Sequence, residues 1–504
     1  MAARLHALIT ITTRFGHCKR PGGMQAGTKR ASGKVVPVQR HVVVVGGGIS
    51  GLAAGYYLRA GGVEVTVLEA SEHIGGVLRV SDVVGLPVDE GAESLLNRRP
   101  EAVELAREVG LGNDVVYPAG LTAGVWTRGR IRPLPSGTVM GVPSRPENLA
   151  GLLDENEMAR IESDRAMPGL PVMADVAIGR LVTERMGPAV TERLVEPLLG
   201  GVYAGHADEL SLRATVPALA AAVEKESSLL DAALVAQQQA STPDGTPGFA
   251  GICGGVGRLP QAVAAASGAA IRTRTTVRTI APTPPSTGSR WRLETGPAPF
   301  PEFMTADAVV LAVPPAPAAR LLEPVAPDAA RELGQVEQAS VAIVTLAVPR
   351  SAFPQVPESS GFLVPPVERR TIKAVTLSSV KWPWLAELAG DLVVLRASVG
   401  RHRQVAELQR QDDEIVDLVL ADLAAALGLS ARPVATRVTR WGGALPQYAV
   451  GHVERMDRVR AAITNVPGLA VCGAAYEGVG IAACVALARR AAESVLAELR
   501  APAP

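Results

Sequence analysis

A glycine-rich run and an acidic residue downstream of it carry the clearest chemical signal in the sequence. Residues 41–51 read HVVVVGGGISG, and Glu69 closes a second apolar run. In this spacing Gly46 permits a tight turn, Gly48 lets the backbone approach a pyrophosphate, and Gly51 lets a helix pack closely. Free N–H groups at the helix start bind phosphate, and the carboxylate accepts a hydrogen bond from a ribose hydroxyl. The pattern predicts a dinucleotide-binding site.

Such a loop works only if regular elements hold it in place. Four valines at residues 42–45 predict a buried strand, residues 52–59 predict a helix, and residues 63–69 predict a second strand. This order is the βαβ unit of a Rossmann-like domain. Related glycine-rich segments return at residues 75–76 and 473–480. We therefore expect a nucleotide-binding domain that is discontinuous in the chain and interrupted by insertions.

Periodicity and composition predict the fold class and its segments. We expect an α/β fold with α+β insertions: a discontinuous Rossmann-like domain, a mixed-sheet substrate domain and a helical insertion. The segments are a basic extension without regular structure (1–39), the nucleotide-binding domain (40–97, 249–320 and 456–504), the helical insertion with substrate access (98–215) and the substrate domain (216–248 and 321–455).

Composition excludes several classes of function. The 504 residues carry a formal net charge of +1 and only 3% aromatic residues, which argues against a nucleic-acid-binding protein. The four cysteines form no CxxC pair, so we expect no zinc site and a reduced, cytoplasmic setting. No apolar run reaches the length of a membrane-spanning helix.

Four further motifs resemble one family. They are VMGVP at residues 139–143, VEPLLGGVYAG at 195–205, RWGGALPQYAVGH at 440–452 and YEGVGIAAC at 476–484. With the glycine loop, these motifs resemble the flavin amine oxidase superfamily and, within it, the oxygen-dependent porphyrinogen oxidases of haem biosynthesis. The resemblance runs from about residue 40 to the C-terminus. The first motif is similar to the Gram-positive and actinobacterial branch, which is associated with oxidation of coproporphyrinogen III.

The resemblance implies a cofactor and a reaction. The cofactor is FAD, and the implied reaction removes six electrons from coproporphyrinogen III by hydride transfer, with O2 as acceptor and H2O2 as product. Protoporphyrinogen IX oxidase is the alternative, and a non-catalytic flavin-binding scaffold of the haem pathway ranks lower. An amine oxidase or carotenoid desaturase is disfavoured by the 440–452 motif. Weak peripheral contact with membranes and hand-off of the product to a ferrochelatase stay open as partner hypotheses.

Site residues are carried over from the family position by position. The implied FAD contacts are Gly46, Gly47, Gly48, Ile49, Ser50, Gly51, Glu69, Ala70, Gly76, Val77, Gly91, Ala92, Glu93, Ser94, Val277, Trp441, Val479, Gly480 and Ile481. Arg99 is the candidate for a substrate carboxylate, and Lys373, Lys381 and Arg396 are weaker candidates. His452 is interpreted as a structural hydrogen-bonding residue. No catalytic side chain and no metal ligand are nominated.

The chain departs from the family pattern at three places near the predicted flavin. The usual Gly-Ile-Pro-Asp-Cys is replaced by a segment with Ala482 and Ala483, which lacks the carboxylate. His73 and Val77 stand where the family often has basic residues around the glycine pair. The missing Asp removes one hydrogen-bonding group near the flavin, so a direct contact at Ala483 is not expected.

Overall fold

The structure is a computed structural model that describes residues 40–169, 174–240 and 247–501. The basic extension predicted for residues 1–39 lies outside the described residues.

The described residues form strands that we number in chain order. They are β1 His41–Val45, β2 Glu64–Leu68, β3 Val80–Val83, β4 Leu86–Asp89, β5 Leu95–Leu96, β6 Val115–Val116, β7 Gly124–Thr127, β8 Arg130–Pro133, β9 Thr138–Val139, β10 Val142–Pro143, β11 Phe249–Ile252, β12 Ala270–Arg272, β13 Thr279–Pro282, β14 Trp291–Thr295, β15 Glu302–Ala306, β16 Ala308–Leu311, β17 Gln338–Pro349, β18 Gly361–Leu363, β19 Ile372–Thr376, β20 Leu392–Val399, β21 Ala435–Pro446 and β22 Leu469–Val471.

The α-helices are numbered in the same way. They are α1 Ile49–Ala60, α2 Glu101–Glu108, α3 Glu155–Glu162, α4 Ile178–Met186, α5 Pro188–Val190, α6 Glu196–Tyr203, α7 Leu212–Thr215, α8 Pro217–Val223, α9 Leu229–Ala240, α10 Arg258–Ser267, α11 Pro315–Leu322, α12 Pro327–Gly334, α13 Ser378–Lys381, α14 Pro383–Ala389, α15 Asp412–Leu427, α16 His452–Thr464 and α17 Ile481–Arg500. A π-helical turn, Thr191–Val195, joins α5 to α6.

A five-stranded parallel sheet carries the glycine loop. Its order is β12-β2-β1-β16-β22, and the registers Val43↔Thr66 and Val43↔Val309 place β1 between its neighbours. The valines of β1 are buried because the sheet is covered by helices, including α1, α10 and α17. The strands come from the beginning, middle and end of the chain, which confirms the predicted discontinuous Rossmann-like domain.

A seven-stranded mixed sheet forms the second layer of the fold. Its order is β21-β17-β20-β19-β18-β7-β8, and only β18 and β7 run parallel among its neighbouring pairs. Alternate residues of β20, such as Leu395 and Ala397, pack into a core with α15. Side chains alternate along a strand, so Arg396 lies on the opposite face. We call that opposite face the inner face.

Several helices, which we call the helical cluster, pack together around a hydrophobic core that is separate from the cores of the two sheets. Apolar side chains from α4, α6, α8 and α9 are buried there, among them Ile178, Leu199, Leu219 and Ala236. The cluster therefore continues past residue 215, where the sequence placed the end of the insertion. Residues 98–215 are also not wholly helical, because β7 and β8 join the mixed sheet. The remaining domain boundaries stay predictions.

Candidate functional site

The glycine loop at residues 46–51 has the tight geometry that the sequence predicts. Gly46 has φ +108° and donates its N–H to Leu68 O at 2.8 Å. A Cβ added at Gly46 would collide with Ala312 O, and one added at Gly51 would collide with Gly46 O. A Cβ at Gly48 would instead meet no atom within 4 Å. The loop is thus closed toward the protein and open at Gly48, where a phosphate can approach the backbone.

Glu69 lies against this loop, as the spacing predicts. Its Oε2 accepts a hydrogen bond from Gly47 N at 2.7 Å, and its Oε1 accepts one from Ser71 N at 2.7 Å. These two bonds fix the carboxylate at the end of β2. Each carboxylate oxygen retains capacity for another donor, so a ribose hydroxyl can bind there. Ala70, between the two hydrogen-bonded residues, is exposed.

The resemblance implies that Val277 contacts the adenine through its backbone. Val277 lies on a segment that is hydrogen-bonded to residues 69–71. Thr275 N donates to Glu69 O at 2.8 Å, and Arg274 N donates to Ser71 O at 2.8 Å. Val277 comes two residues later and is buried. A strand is expected from the sequence at residues 277–280, but β13 begins at Thr279, so Val277 precedes the strand. The backbone bonds bring the start of this segment to the acidic end of the nucleotide site.

The glycine pair packs beside the first loop. Gly75 N donates to Gly47 O at 2.8 Å, and both Gly75 and Gly76 have positive φ. Val77 is 40% exposed although its side chain is apolar. Gly91 packs directly on it, because an added Cβ would collide with Val77 O. Residues 75–77 therefore join the glycine loop to the loop at residues 90–94.

Glu93 is held by two cations from the mixed sheet region. Its Oε1 accepts from Lys381 Nζ at 2.7 Å and its Oε2 accepts from Arg396 Nη1 at 2.9 Å. Burial raises the pKa of Glu93, but Lys381 and Arg396 outweigh this effect and lower the pKa to about 2. Lys381 also donates to Ser94 Oγ at 2.8 Å. Glu93 is therefore a carboxylate at neutral pH that anchors residues 90–94 to the mixed sheet.

The Trp441 side chain is held by Glu90, the first residue of the loop at residues 90–94. Its Nε1 donates to Glu90 O at 2.8 Å, and the Arg79 guanidinium lies 5.2 Å from the centre of its ring. Arg79 Nε donates to Glu90 Oε2 at 2.6 Å, and Thr439 Oγ1 donates to the same oxygen at 3.2 Å. Sequence reasoning missed Glu90, Arg79 and Thr439. The acidic pair Asp89–Glu90 in a buried strand end was the available signal.

Two stacked aromatic side chains hold the C-terminal glycine motif, residues 473–480, by hydrogen bonds. Tyr448 and His452 stack with ring centres 4.0 Å apart. Tyr448 Oη donates to Ala474 O at 2.5 Å and accepts from Gly478 N at 2.7 Å. His452 Nε2 donates to Ala475 O at 2.9 Å. Burial lowers the pKa of His452 to about 4, so it is neutral at pH 7 and acts as a structural donor.

The segment that this pair holds leads into α17. Gly480 is the N-cap of the helix, and a Cβ added there would meet no atom within 4 Å. Val479 packs on the helical cluster, and Ile481 begins the helix. Ala483 is buried, and a Cβ on Gly478 would lie 2.9 Å from Ala483 Cβ. The small residue that replaces the usual Asp thus packs under the motif instead of facing a ligand.

Arg99 is not placed among these groups. Its Nη2 donates to Glu101 Oε1 at 2.7 Å, at the start of α2, and its side chain is 43% exposed. No contact in the described part of the chain joins it to the loop at residues 90–94 beyond sequence proximity. Its role toward a substrate carboxylate stays a prediction.

The described residues contain no group of three His, Cys, Asp or Glu side chains arranged to bind a metal ion. Among the helices of residues 40–169, 174–240 and 247–501, none is both long and apolar enough to span a membrane.

Comparisons with known proteins agree with this geometry. A family model described as flavin containing amine oxidoreductase matches residues 49–496. Coproporphyrinogen III oxidase of Mycobacterium tuberculosis H37Rv is 38% identical over 470 residues, which cover 92% of this chain and 98% of the relative. Coproporphyrinogen III oxidase of Bacillus subtilis is 31% identical, with 92% and 99% covered.

A solved structure supports the same relationship. The crystal structure of a protein assigned as a protoporphyrinogen oxidase from Exiguobacterium sp. 255-15 superposes with a TM-score of 0.79 and 31% identity. The alignment covers 91% of this chain and 99% of that one. The family match begins within the glycine loop, includes the mixed sheet and ends within α17. The chain belongs to the flavin containing amine oxidoreductase family.

Proposed function

We propose that the protein is an FAD-dependent coproporphyrinogen III oxidase. The observation that carries this proposal is the near-full-length similarity to proteins of that name in M. tuberculosis and B. subtilis. The similarity covers 92% of the chain, so it extends beyond the segments that form the Rossmann-like domain. Protoporphyrinogen IX is the alternative substrate, because the Exiguobacterium neighbour carries that assignment.

The nucleotide end of the site favours FAD over a mononucleotide flavin. The open position at Gly48 suits a pyrophosphate, and the Glu69 carboxylate suits an adenosine ribose. A mononucleotide would leave both features without a ligand. Released flavin can be identified by chromatography after denaturation. Recovery of FMN instead of FAD would contradict this part of the proposal.

The flavin end provides orientation rather than acid–base chemistry. Bound FAD supplies hydride acceptance, and three two-electron steps convert a porphyrinogen to a porphyrin while O2 takes the electrons and gives H2O2. Trp441, which is held by Glu90, and residues 479–481 would flank the ring system. The N-terminus of α17, which follows Gly480, would then present its positive dipole end to the ring. Glu93 stays ionised and paired, so we assign no side-chain base.

We propose that the protein acts in the cytoplasm. The cysteines among the described residues are free thiols, which agrees with a reduced cytoplasm. Contact with membranes would be peripheral and weak. The porphyrin product has no metal ion, so an enzyme that inserts iron, a ferrochelatase, is the expected recipient.

Aerobic turnover tests the proposal directly. Purified, FAD-loaded protein is given coproporphyrinogen III and protoporphyrinogen IX in parallel, and porphyrin fluorescence is recorded. We expect faster formation of coproporphyrin III. Faster oxidation of protoporphyrinogen IX would change the substrate assignment, and absence of turnover on both, with FAD bound, would favour the scaffold alternative.

A further inference from the structure

Among the cations near the mixed sheet, Lys373 differs from the others in its surroundings. Lys381 and Arg396 are both paired with Glu93. Lys373 is 4% exposed, and its Nζ donates to Gly200 O at 3.1 Å. No carboxylate lies within ion-pair distance of Lys373 in the part of the chain that the structure describes. An ammonium group has three N–H donors, and among the described residues only Gly200 O accepts a hydrogen bond from Lys373 Nζ.

A second buried cation strengthens the local positive charge. Arg401 is 8% exposed and donates from Nη2 to Val364 O at 3.1 Å. Burial and the nearby Arg401 guanidinium lower the pKa of Lys373 to about 7. Buried charges are normally paired, because removal of an ion from water is costly. A bound anion would stabilise the protonated form of Lys373 beside the Arg401 guanidinium, so the two groups form a candidate anion site.

The location of Lys373 points to a substrate rather than a structural anion. In β19 the register shifts between Ile372 and Ala374, so Ile372 packs in the α15 core while Lys373 faces α6. That is the inner face, which also carries Arg396 and Trp441. The residue after Lys373's acceptor, Gly201, is exposed, and Val202 is 41% exposed. The ammonium therefore contacts α6 next to two exposed residues of that helix.

We propose that Lys373 binds a propionate carboxylate of the tetrapyrrole substrate and favours substrates with four propionates over those with two. This inference rests on the proposed function. The flexible lysine stem lets the ammonium leave Gly200 O and reach a carboxylate. Coproporphyrinogen III has two more propionates than protoporphyrinogen IX, so an additional cation on the inner face discriminates between them. Lys373 is thus a specificity-determining residue.

Porphyrin binding by the FAD-loaded enzyme tests this inference without turnover. The probes are coproporphyrin III and its tetramethyl ester, which has the same ring and no carboxylate. We expect K373M to weaken binding of coproporphyrin III about 10- to 100-fold and to leave binding of the ester within about twofold. K373R should retain most of the affinity. K225M, which alters an exposed lysine, should match the wild type.

Two controls separate this inference from the proposed function. Flavin content and melting temperature of K373M verify its fold, which Met should support because it removes a buried charge. Equal affinity of K373M and wild type for coproporphyrin III would overturn the inference even if wild-type turnover is normal. Wild-type protein that binds coproporphyrin III but oxidises neither porphyrinogen would overturn the proposed function, while the affinity ratio would still decide the role of Lys373.

Discussion

The two ends of the proposed flavin site are built in different ways. At the nucleotide end, residues 46–51 and Glu69 form the site from backbone groups and one carboxylate on adjacent elements. At the ring end, the loop at residues 90–94 depends on side chains from strands some 300 residues away, such as Arg396, which donates to Glu93 with a separation of 303 residues. The first end is a local structure, and the second is an assembly of distant ones.

This difference predicts how each end fails. Local backbone geometry tolerates almost no added volume, because the glycine turn and α1 touch each other directly. The ring end depends in addition on charge balance, because Glu93 pairs with the partly buried Lys381 and the buried Arg396. Substitutions at the two ends should therefore separate steric effects from electrostatic ones.

Substitution of Gly51 by Ala should have the largest effect. The added Cβ would collide with Gly46 O, and relief requires movement of the turn or the helix. We expect a loss of about 4 kcal/mol in unfolding free energy together with loss of FAD. Denaturant unfolding and flavin absorbance measure both.

Gly48→Ala is the matched control for that variant. Its backbone, with φ −70° and ψ 175°, is accessible to alanine, and the Cβ meets no protein atom within 4 Å. We expect unchanged stability of the FAD-free protein but weaker FAD binding, because the methyl group occupies the approach to the loop. Normal FAD affinity in Gly48→Ala would contradict the phosphate assignment.

Glu93→Gln should follow in size. The amide removes the negative charge that neutralises the buried Arg396 and the partly buried Lys381. We expect a loss of about 3–4 kcal/mol, measured as unfolding free energy by urea titration. Glu101→Gln, at an ion pair with a 43%-exposed Arg99, should cost about 1 kcal/mol or less. Equal costs would show that the ring end is not charge-balanced.

His452 should make stability depend on pH. Its pKa is lowered from 6.5 to about 4 by burial, so the unfolded chain binds the proton first as the pH falls. The contribution is complete above pH 6.5 and is lost as the pH falls through about 4, a change of about 3 kcal/mol.

The difference between wild type and His452→Gln isolates this contribution. Burial raises the pKa of Asp89 to about 6, so Asp89 contributes stability that is lost as the pH rises from about 3.8 to about 6, opposite to His452. Subtraction of the two pH profiles cancels Asp89. Parallel profiles for the two proteins would contradict a buried neutral histidine.

Trp441→Phe should have the smallest effect of the series. It keeps an aromatic ring but removes the hydrogen bond to Glu90 O. We expect a loss of about 1–2 kcal/mol and a change in the visible flavin spectrum, since the ring is no longer held in one orientation. An unchanged spectrum would separate Trp441 from the flavin.

Pattern reasoning worked best where neighbours in the chain are neighbours in space. The glycine loop and the position of Glu69 follow from spacing within a short segment, and the structure places Glu69 against the loop as expected. The sequence predicted a strand that starts at Val277, whereas the strand in the structure starts at Thr279. Such errors of a few residues are common at the ends of predicted strands. Arg99 pairs with Glu101 in the structure, and its contact with a substrate carboxylate stays a prediction.

The amino-acid sequence by itself determined the discontinuous Rossmann-like domain, the position of its glycine loop and the family resemblance, because periodicity and glycine spacing are local properties. Only the tertiary structure decided that Lys381 and Arg396 neutralise Glu93, while Lys373 has a carbonyl as its acceptor. The roles of Arg396 and Lys373 depend on strand register and on the bulge in β19. A shift of one residue turns a side chain to the other face of the sheet, so these two cations cannot be told apart until the strands are paired.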